Sequence, residues 1–436
     1  MRRLQLSKPL PDRPPYLGIA RAYTRSWLSS SALPPGDFVH IDHLERANRT
    51  LLIERARTYG PIFKGFMENR LAVCVLGHVT GRRLLKEHAS ALQPVSIQLE
   101  SLFPKGFMRQ MEGQCHRDYR QILVRSLMEV DLAAAAPLLE TIVSQDLEAF
   151  ARDPETDPDK HSWSDALSQI ATGLLLCVFF GARPGCAYFN RLMTAYRNLG
   201  TNGVVWRITG KQARAFEVLR AEIQAAGISE DQTPGLGLIE QMRALSPIDE
   251  TMLGNLIYMV ELGRYDLRGL LRWVSKYAAE QPDWLDRIAA EPVDAPGGHG
   301  SAAEAFVMEV LRLEQSERLM RNVLRDIVFD GFLIPKGALL RICMWEAHKD
   351  EDVFRQPFTF DPSRFLGEHG LGDRFSPFGL DHHHCPLSSI SVRLAMIFLR
   401  LLARTYRIDL RGSAQAVRGP YHWEPAPSFS VSLQPH

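Results

Sequence analysis

The stretch from Phe375 to Thr405, FSPFGLDHHHCPLSSISVRLAMIFLRLLART, joins a short polar loop to a long apolar run. Cys385 lies at the junction, and the residues after it have the apolar spacing that is typical of a buried helix. This spacing predicts a helix over 386–405, with Pro386 at its first position, where the missing N–H costs nothing. The amino-terminal end of a helix favours a thiolate, which is the form of cysteine that binds metals. The stretch therefore indicates a metal-binding cysteine.

Phe378 and Gly379, which precede the cysteine, fit an aromatic ring and a tight turn packed against a flat cofactor. With these residues the stretch resembles the haem-binding loop of cytochrome P450 enzymes, which runs Phe-Gly-x-Gly-x-His-x-Cys-x-Gly. Phe378, Gly379, His383 and Cys385 fall on the places of that pattern. The resemblance implies that haem b (iron protoporphyrin IX) is the cofactor. It also implies that Cys385 is the ligand to the haem iron.

Two glycines of the family pattern are replaced here, by Asp381 and Leu387. Glycine at the place of Leu387 lets the final helix lie close to the porphyrin, so a side chain there implies a displaced helix or a tilted haem. Taken alone, the loop leaves two other interpretations open. Cys385 could be a buried structural thiol, or it could bind zinc together with histidines of the run 382–384.

A second motif consists of Glu309 and Arg312, which share a face of a helix predicted over 301–315. The segment FDPSRF follows and supplies Arg364. Cytochrome P450 enzymes use Glu-x-x-Arg and a later arginine to lock the core behind the cysteine loop. The resemblance therefore implies a buried network of these three side chains, whereas the pair by itself would also fit an exposed helix surface.

Three basic residues match family positions that bind the haem propionates. His116 and Arg120 lie four residues apart in EGQCHRDYRQIL, and Arg321 precedes Asp326 in RNVLRD. Partly buried carboxylates need charge-assisted hydrogen-bond donors, which these side chains supply. The resemblance implies that all three contact the haem, although each would also fit an ordinary surface base.

The helix over the distal haem face should be TMLGNLIYMVELGRYDLRGLLRWVSKYAAEQP. Family members carry a glycine, an acid and a threonine there, and the acid–threonine pair delivers protons during oxygen activation. Gly263 matches, but Tyr265 and Asp266 stand in the places of the acid and the threonine. Ordinary oxygen activation is therefore in doubt.

The departures at Tyr265 and Asp266 allow two functional hypotheses about this helix. Asp266 could relay protons itself from the inner face that it would share with Gly263, since a carboxylate is a competent acid–base group. Alternatively, Arg264 or Arg268 could hold a carboxylate substrate. Both arginines would equally fit a solvent-exposed surface.

The composition of the chain bounds its class. The 436 residues are 45% hydrophobic and 23% charged, and the net charge of +1 gives no indication of nucleic-acid binding. The six scattered cysteines form no Cys-x-x-Cys pair, which favours a reducing compartment, and we expect a cytoplasmic protein. The longest apolar stretch, Gly173 to Ala182, is too short to span a bilayer, so no transmembrane segment is expected.

The pattern along the chain predicts a mainly α protein with a small β region, which the resemblance makes a cytochrome P450-like fold. A helix ends at Gly60, and a hairpin follows in IFKGFMENRLAVCVLG. We expect residues 1–33 to be an N-terminal extension and 34–436 a single haem domain. Segments 93–108, 197–210 with Trp206, and 426–433 are expected to line an apolar pocket.

The resemblance implies an oxidoreductase that oxidises a small, apolar or amphipathic molecule in specialised metabolism. Electrons would come from a ferredoxin or flavoprotein. A first alternative is an enzyme of the same scaffold that needs no external electrons, such as a peroxygenase, isomerase or dehydratase, which Tyr265 and Asp266 favour. A second alternative is a non-catalytic binding or recruitment protein, which Asp381 and Leu387 favour.

Overall fold

Helices dominate the chain, as the sequence predicts. The computed structural model describes residues 16–67, 69–95, 105–108, 111–152, 162–200, 209–226, 236–292, 300–314, 318–367, 371–380, 383–419 and 422–436. In these ranges the α-helices are α1 Tyr16–Ser29, α2 Ile41–Glu45, α3 Leu51–Tyr59, α4 His78–Glu87, α5 Gly113–Met128, α6 Leu132–Ala151, α7 Trp163–Phe180, α8 Ala187–Leu199, α9 Gly210–Ala225, α10 Leu238–Leu245, α11 Glu250–Glu280, α12 Pro282–Ala289, α13 Ala302–Glu314, α14 Met344–Ala347 and α15 Ser388–Thr405. The strands are β1 Ile62–Met67, β2 Arg70–Leu76, β3 Leu92–Pro94, β4 Arg318–Val323, β5 Ile327–Phe329, β6 Phe332–Ile334, β7 Leu339–Cys343, β8 Tyr406–Arg411, β9 Ala416–Arg418, β10 Trp423–Pro425 and β11 Ser430–Pro435.

The largest sheet has the strand order β1-β2-β7-β4-β3. Strands β1 and β2 form the predicted antiparallel hairpin, with Ile62 opposite Val75, and Asn69 at the turn adopts a positive φ of 58°. Strand β7 runs parallel to β2, and β4 pairs with β7 in antiparallel orientation. Three two-stranded sheets, β5-β6, β8-β11 and β9-β10, complete the small β region.

The main core lies where α6, α7, α11 and α15 pack together. Helix α7 begins with a capping box in which Ser162 and Asp165 satisfy each other's backbone amides, and it is almost entirely apolar. Among the described residues α7 is the one helix long and apolar enough to cross a membrane, and 78% of that stretch is buried inside the protein. Such burial is typical of a core helix.

Helix α15 begins two residues later than the sequence predicts. The backbone amide of Ser388 donates to the carbonyl oxygen of Cys385 at 3.4 Å, which closes a turn that contains Pro386 and Leu387. The first helical bond runs from Ser391 to Leu387. Cys385 therefore lies on a turn ahead of the helix, and Pro386 is not its first residue.

Helix α1 lies within the range 1–33 that the sequence predicts as an extension. Its residue Ala22 is buried against Phe66 and Leu71 of the first hairpin. The segment after the helix forms a β-bridge from Ala32 to Phe332. The described part of the predicted extension is thus folded onto the first hairpin of the largest sheet and onto β6.

Candidate functional site

The loop before α15 holds Cys385 by backbone hydrogen bonds. The amide of Cys385 donates to the carbonyl oxygen of Phe378 at 2.9 Å. Gly379 adopts a φ of 91°, a conformation that side chains disfavour, and its carbonyl oxygen accepts from Ser376 Oγ at 2.5 Å. The thiol is half-buried at the end of this turn. The sequence pattern gave the glycine and the cysteine, but not the role of Ser376.

His348 connects this loop to the core. Its Nε2 accepts a hydrogen bond from the backbone amide of Ser376 at 3.2 Å, and its carbonyl oxygen accepts from Arg312 Nη1 at 3.0 Å. Burial, reinforced by the neighbouring basic groups His78, Lys349 and Arg312, lowers the pKa of His348 well below its ordinary value. His348 is therefore neutral and able to accept. No sequence motif indicated this residue.

The predicted network of Glu309, Arg312 and Arg364 is confirmed. Glu309 and Arg312 are fully buried and form two parallel hydrogen bonds of 2.7 Å each. Glu309 also accepts from the backbone amide of Asp361 at 2.9 Å. Arg364 lies farther away, with 3.5 Å between its Nε and Glu309 Oε1. The short contacts of the network are therefore those between Glu309 and Arg312 on α13, and Arg364 adds a longer contact to Glu309.

Helix α5 brings its two predicted residues to the cysteine loop. His116 is buried, and its ring lies 4.6 Å from the ring of His383 between centroids. Arg120 Nη2 donates to the carbonyl oxygen of His384 at 2.8 Å. Burial lowers the pKa of Arg120, and the nearby Cys385 opposes that effect. The structure thus gathers six predicted residues around one loop: Cys385, Phe378, Gly379, His383, His116 and Arg120.

The residues at the loop fit a haem. Among the described residues no carboxylate pairs with Arg120, so a partly buried guanidinium stands beside the cysteine without an acidic partner. A propionate of iron protoporphyrin IX would supply that anion, and Cys385 would supply the ligand to its iron. The described residues contain no group of three metal-binding side chains, so the zinc alternative gains no support from them.

Arg321 lies on a strand of the largest sheet and not on α5 or the cysteine loop. It is in β4, opposite Pro94 of β3 and Leu340 of β7, and its Nη1 donates to the carbonyl oxygen of Met320 at 2.9 Å. A role for Arg321 at a haem propionate stays a prediction.

Gly263, Tyr265 and Asp266 of α11, the residues predicted at the distal haem face, contact three different neighbours. A Cβ on Gly263 would meet Leu175 of α7 at 3.3 Å. Tyr265 donates its hydroxyl proton to Glu424. Asp266 Oδ1 lies 3.0 Å from His422 Nε2. Gly263 therefore packs against α7 and Asp266 against His422, and a shared role of the two residues at the haem stays a prediction.

Tyr265 contacts the carboxy-terminal hairpin, which consists of β9 and β10. Its acceptor Glu424 also receives a hydrogen bond from Arg272 Nη1 at 2.9 Å. Burial, followed by the charge of Glu424, raises the pKa of Tyr265. The hydroxyl is therefore a neutral donor that binds Glu424, and a catalytic role for Tyr265 stays a prediction.

The two arginines proposed for a substrate carboxylate already have neighbours. Arg264 forms hydrogen bonds of 2.7 and 2.9 Å with the fully buried Glu261, and it also donates to the carbonyl oxygen of Tyr196. Arg268 lies over the ring of Tyr265, with 4.8 Å from the guanidinium carbon to the ring centroid. Both arginines thus have partners within the protein, and the hypothesis that either one holds a substrate carboxylate stays a prediction.

Leu387, which replaces a family glycine, is buried in the core at the start of α15. Asp381, the other replacement, lies outside the described residues. The same holds for Trp206 and for most of two predicted pocket segments, at 96–104 and 201–208.

The comparison with protein-family models decides the classification. The family model "Cytochrome P450" matches residues 302–416, the range that contains both the Glu309–Arg312 network and the cysteine loop. This match, together with the cysteine loop, supports the cytochrome P450 superfamily for this chain.

Curated relatives of this superfamily match over most of the chain. Abscisic acid 8'-hydroxylase 1 of Oryza sativa subsp. japonica is 23% identical over 404 residues, covering 84% of this chain and 82% of the relative. The protein of the same name from Arabidopsis thaliana is 22% identical over 394 residues, covering 84% and 82%. Cytochrome P450 family 716 subfamily AD polypeptide 2 of Citrus sinensis is 27% identical over 216 residues, covering 46% and 44%.

Solved structures of P450 proteins have the same fold. Retinoic acid-bound cyanobacterial CYP120A1 matches with a TM-score of 0.71 and 20% identity, covering 93% of this chain and all of that one. A zebrafish cytochrome P450 with progesterone matches with a TM-score of 0.70 and 17% identity, covering 88% and 99%. The predicted P450-like fold, mainly α with a small β region, is thereby confirmed.

The superfamily assignment also confirms the predicted enzyme class. The protein is a haem-thiolate oxidoreductase of the monooxygenase type that acts on a small molecule, and haem is its cofactor.

Proposed function

We propose that this P450 inserts an oxygen atom into a small, largely apolar molecule that binds along one face of α11. The observation that carries the proposal is a stripe of incompletely buried residues on a helix whose other positions are mostly buried. Met259, Leu262, Asp266 and Gly269 follow one another at spacings of three, four and three residues, and so lie on one face. Incomplete burial that recurs along one face of a core helix indicates an unfilled space beside that face.

The chemistry of this stripe favours an apolar substrate. Met259 and Leu262 pack at the margin of the main core, and Gly269 adds no side chain. Asp266 is the one acidic group of the stripe and is 54% exposed. Apolar walls with few polar groups are typical of small-molecule sites.

When haem is bound, it supplies the activation of dioxygen that hydroxylation requires, with Cys385 as the iron ligand. The chain itself must then deliver protons to the site. Asp266 is suited to this, because His422 orients the carboxylate through one oxygen while the side chain as a whole stays 54% exposed. The pair Asp266–His422 would take over the task of the family's acid–threonine pair.

The proposed electron donor is a ferredoxin-type protein or a flavoprotein that docks over α5. A cavity of about 330 Å³ is lined by His116, Arg117, Arg120, Gln121 and Val124. It adjoins the cysteine loop through the contact of Arg120 with His384. Its charged lining is basic only, which would attract an acidic partner and accelerate encounter.

We place the enzyme in a reducing compartment, most simply the cytoplasm, and in specialised metabolism. The six cysteines, all in the described part of the chain, form no disulfide there, which supports a reducing environment. The names of the relatives support hydroxylation as the reaction, since two of those reported are abscisic acid 8'-hydroxylases.

The haem-loaded protein tests this proposal with a surrogate ferredoxin and ferredoxin reductase. Apolar compounds are screened for a spin-state change of the Soret band, and hits are incubated with NADPH under ¹⁸O₂. We expect a product that gains one labelled oxygen, and none from Cys385→Ala. A ligand that is released unchanged despite steady electron flow would contradict the proposal.

A second candidate is turnover without external electrons, favoured by the absence of the family threonine at Asp266. The same incubation discriminates it. Product formed with hydrogen peroxide alone, or with no oxidant, and unaffected by omission of the reductase would establish this candidate in place of the first.

A further inference from the structure

His348, the residue at the end of α14, holds the start of the cysteine loop through its side chain. Its Nε2 accepts a hydrogen bond from the backbone amide of Ser376 at 3.2 Å, and both residues are buried. The hydroxyl of Ser376 donates to the carbonyl oxygen of Gly379, the glycine of the turn that precedes Cys385. One imidazole nitrogen therefore fixes the backbone at the point where the turn begins.

The turn connects Ser376 to Cys385. Gly379 adopts a φ of 91°, and the backbone amide of Cys385 donates to the carbonyl oxygen of Phe378 at 2.9 Å. Because Phe378 lies two residues after Ser376, a movement of Ser376 displaces the carbonyl oxygen that holds the cysteine. A contiguous set of hydrogen-bonded residues thus joins the imidazole to the ligand of the haem iron.

The surroundings of His348 suit a neutral imidazole. The rings of His78, Phe375 and Phe354 lie 4.6, 5.0 and 6.4 Å from it between centroids. The other ring nitrogen, Nδ1, carries the proton when Nε2 accepts, and among the described residues it has no hydrogen-bond partner. A protonated ring would therefore find no acceptor there for either of its N–H groups, and the Ser376 amide would face a second donor.

The charged groups around His348 also disfavour a proton on its ring. Burial, followed by the basic groups His78 of α4, Lys349 and Arg312 of α13, lowers the pKa of His348 well below its ordinary value. The carboxylate of Glu309 is bound to Arg312 by two hydrogen bonds of 2.7 Å. Proton uptake by His348 is therefore unfavourable for as long as the loop is closed.

We propose that His348 is a positioning residue for Cys385, and that its protonation in mild acid releases the cysteine loop while the helices stay folded. When Ser376 moves away, the imidazole reaches water and regains the ordinary histidine pKa of about 6.5. The open loop then binds a proton that the closed loop excludes, so opening becomes about tenfold more favourable for each pH unit below about 6.5. Thiolate ligation by Cys385 is lost over the same range.

A pH titration of the full-length, haem-loaded protein tests this proposal. The red-shifted Soret band of the reduced carbon monoxide complex reports thiolate ligation, and circular dichroism reports helix content. Between about pH 7.5 and about pH 5 we expect the red-shifted band to disappear below about pH 6.5, to return on neutralisation, and to do so without loss of helix. Loss of the band only together with the helices would overturn the proposal.

Two substitutions of His348 separate positioning from packing, and both remove the titrating group. In His348→Gln the terminal amide reaches the place of Nε2 and keeps an acceptor for Ser376, whereas in His348→Asn the shorter side chain does not reach that place. We expect His348→Gln to keep the red-shifted band to about one pH unit lower than the unaltered protein does, which is a tenfold higher proton concentration. We expect His348→Asn to lack about half of the band or more at neutral pH already.

The control His88→Gln alters a histidine whose ring packs against Phe329, and it should titrate as the unaltered protein does. Equal midpoints in His348→Gln and the unaltered protein would show that Cys385 itself takes up the proton, and would overturn the proposal. Equal losses of the band in the Gln and Asn variants of His348 would indicate a role in packing alone, with the same consequence.

Hydrogen exchange followed by mass spectrometry tests the loop in the unaltered holoenzyme, and so does not depend on the folding of any variant. After correction for the intrinsic effect of pH, we expect protection of a peptide spanning 374–380 to fall about tenfold per pH unit below about pH 6.5. Protection of α15 should stay constant over the same range. Protection of the peptide 374–380 that does not change with pH would refute the release of the loop.

Discussion

Asp266 on the long helix α11 is hydrogen-bonded to His422, with 3.0 Å between Asp266 Oδ1 and His422 Nε2, although 156 residues separate them in the chain. The imidazole is 17% exposed and the carboxylate 54% exposed. The segment that carries His422 therefore orients an acid–base group whose side chain stays more than half exposed.

We expect Asp266→Asn to lower the rate of product formation about 10²-fold while reductant is still consumed. The amide keeps the shape of the side chain and a contact with His422, but it cannot transfer protons. The measurement is product formed per NADPH oxidised, together with the peroxide released.

The neighbouring substitution Tyr265→Phe is the matched control for this prediction. Its hydroxyl donates to Glu424, away from Asp266, so its loss should reduce stability and leave the coupling of electrons to product intact. Equal coupling in Asp266→Asn and the unaltered enzyme would exclude Asp266 from proton delivery.

Stability should decrease below about pH 6.5 because two adjacent buried histidines are neutral in the folded protein. Burial lowers the pKa of His78 and of His348, whose rings lie 4.6 Å apart. Below their ordinary pKa the unfolded chain binds these protons and the folded chain does not. The free energy of unfolding should therefore fall by about 1.4 kcal/mol per pH unit for each histidine.

Urea unfolding between about pH 7.5 and pH 5.5 measures this slope. His348→Gln keeps an acceptor for the amide of Ser376 and removes one titrating group. We expect its slope to be smaller by about 1.4 kcal/mol per pH unit. An identical slope in the variant would show that His348 does not become protonated on unfolding.

Arg120→Gln should impair haem binding, whereas Arg117→Gln, one turn away on α5, should not. Arg120 contacts the cysteine loop through the carbonyl oxygen of His384, while Arg117 bonds to Gln114 on the same helix. The readouts are haem content and the reduced carbon monoxide spectrum. We expect Arg120→Gln to lose haem and part of the red-shifted Soret band, and equal spectra in the two variants would contradict the assignment.

Glu309→Ala should cost about 3–5 kcal/mol of folding free energy, because it leaves the fully buried Arg312 without its anion. Arg364→Ala should cost less, since Arg364 lies 3.5 Å from Glu309. The control Glu148→Ala breaks an exposed pair with Arg152 and should cost under about 1 kcal/mol. Chemical denaturation of the three variants gives the values, and a Glu309→Ala protein of near-normal stability would argue against the buried network.

The sequence by itself determined the class of the protein and the location of its cysteine site. Short segments of sequence contain the glycine turn, Cys385 and the Glu309–Arg312 pair. Local backbone geometry and helix periodicity set the spacing of these residues, so the sequence alone predicts it. Even the start of α15 was predicted to within two residues. These features depend on neighbours in the chain.

Only the tertiary structure decided which side chains meet across the chain. Nothing in the sequence indicated that His348 supports the cysteine loop, that Tyr265 binds Glu424, or that His422 orients Asp266. A rotation of 100° per residue separates Tyr265 from Asp266, so adjacent residues face different neighbours, and the neighbours are set by how the hairpin packs on α11. Contacts between distant segments leave no periodic pattern in the local sequence, so the sequence alone does not predict them.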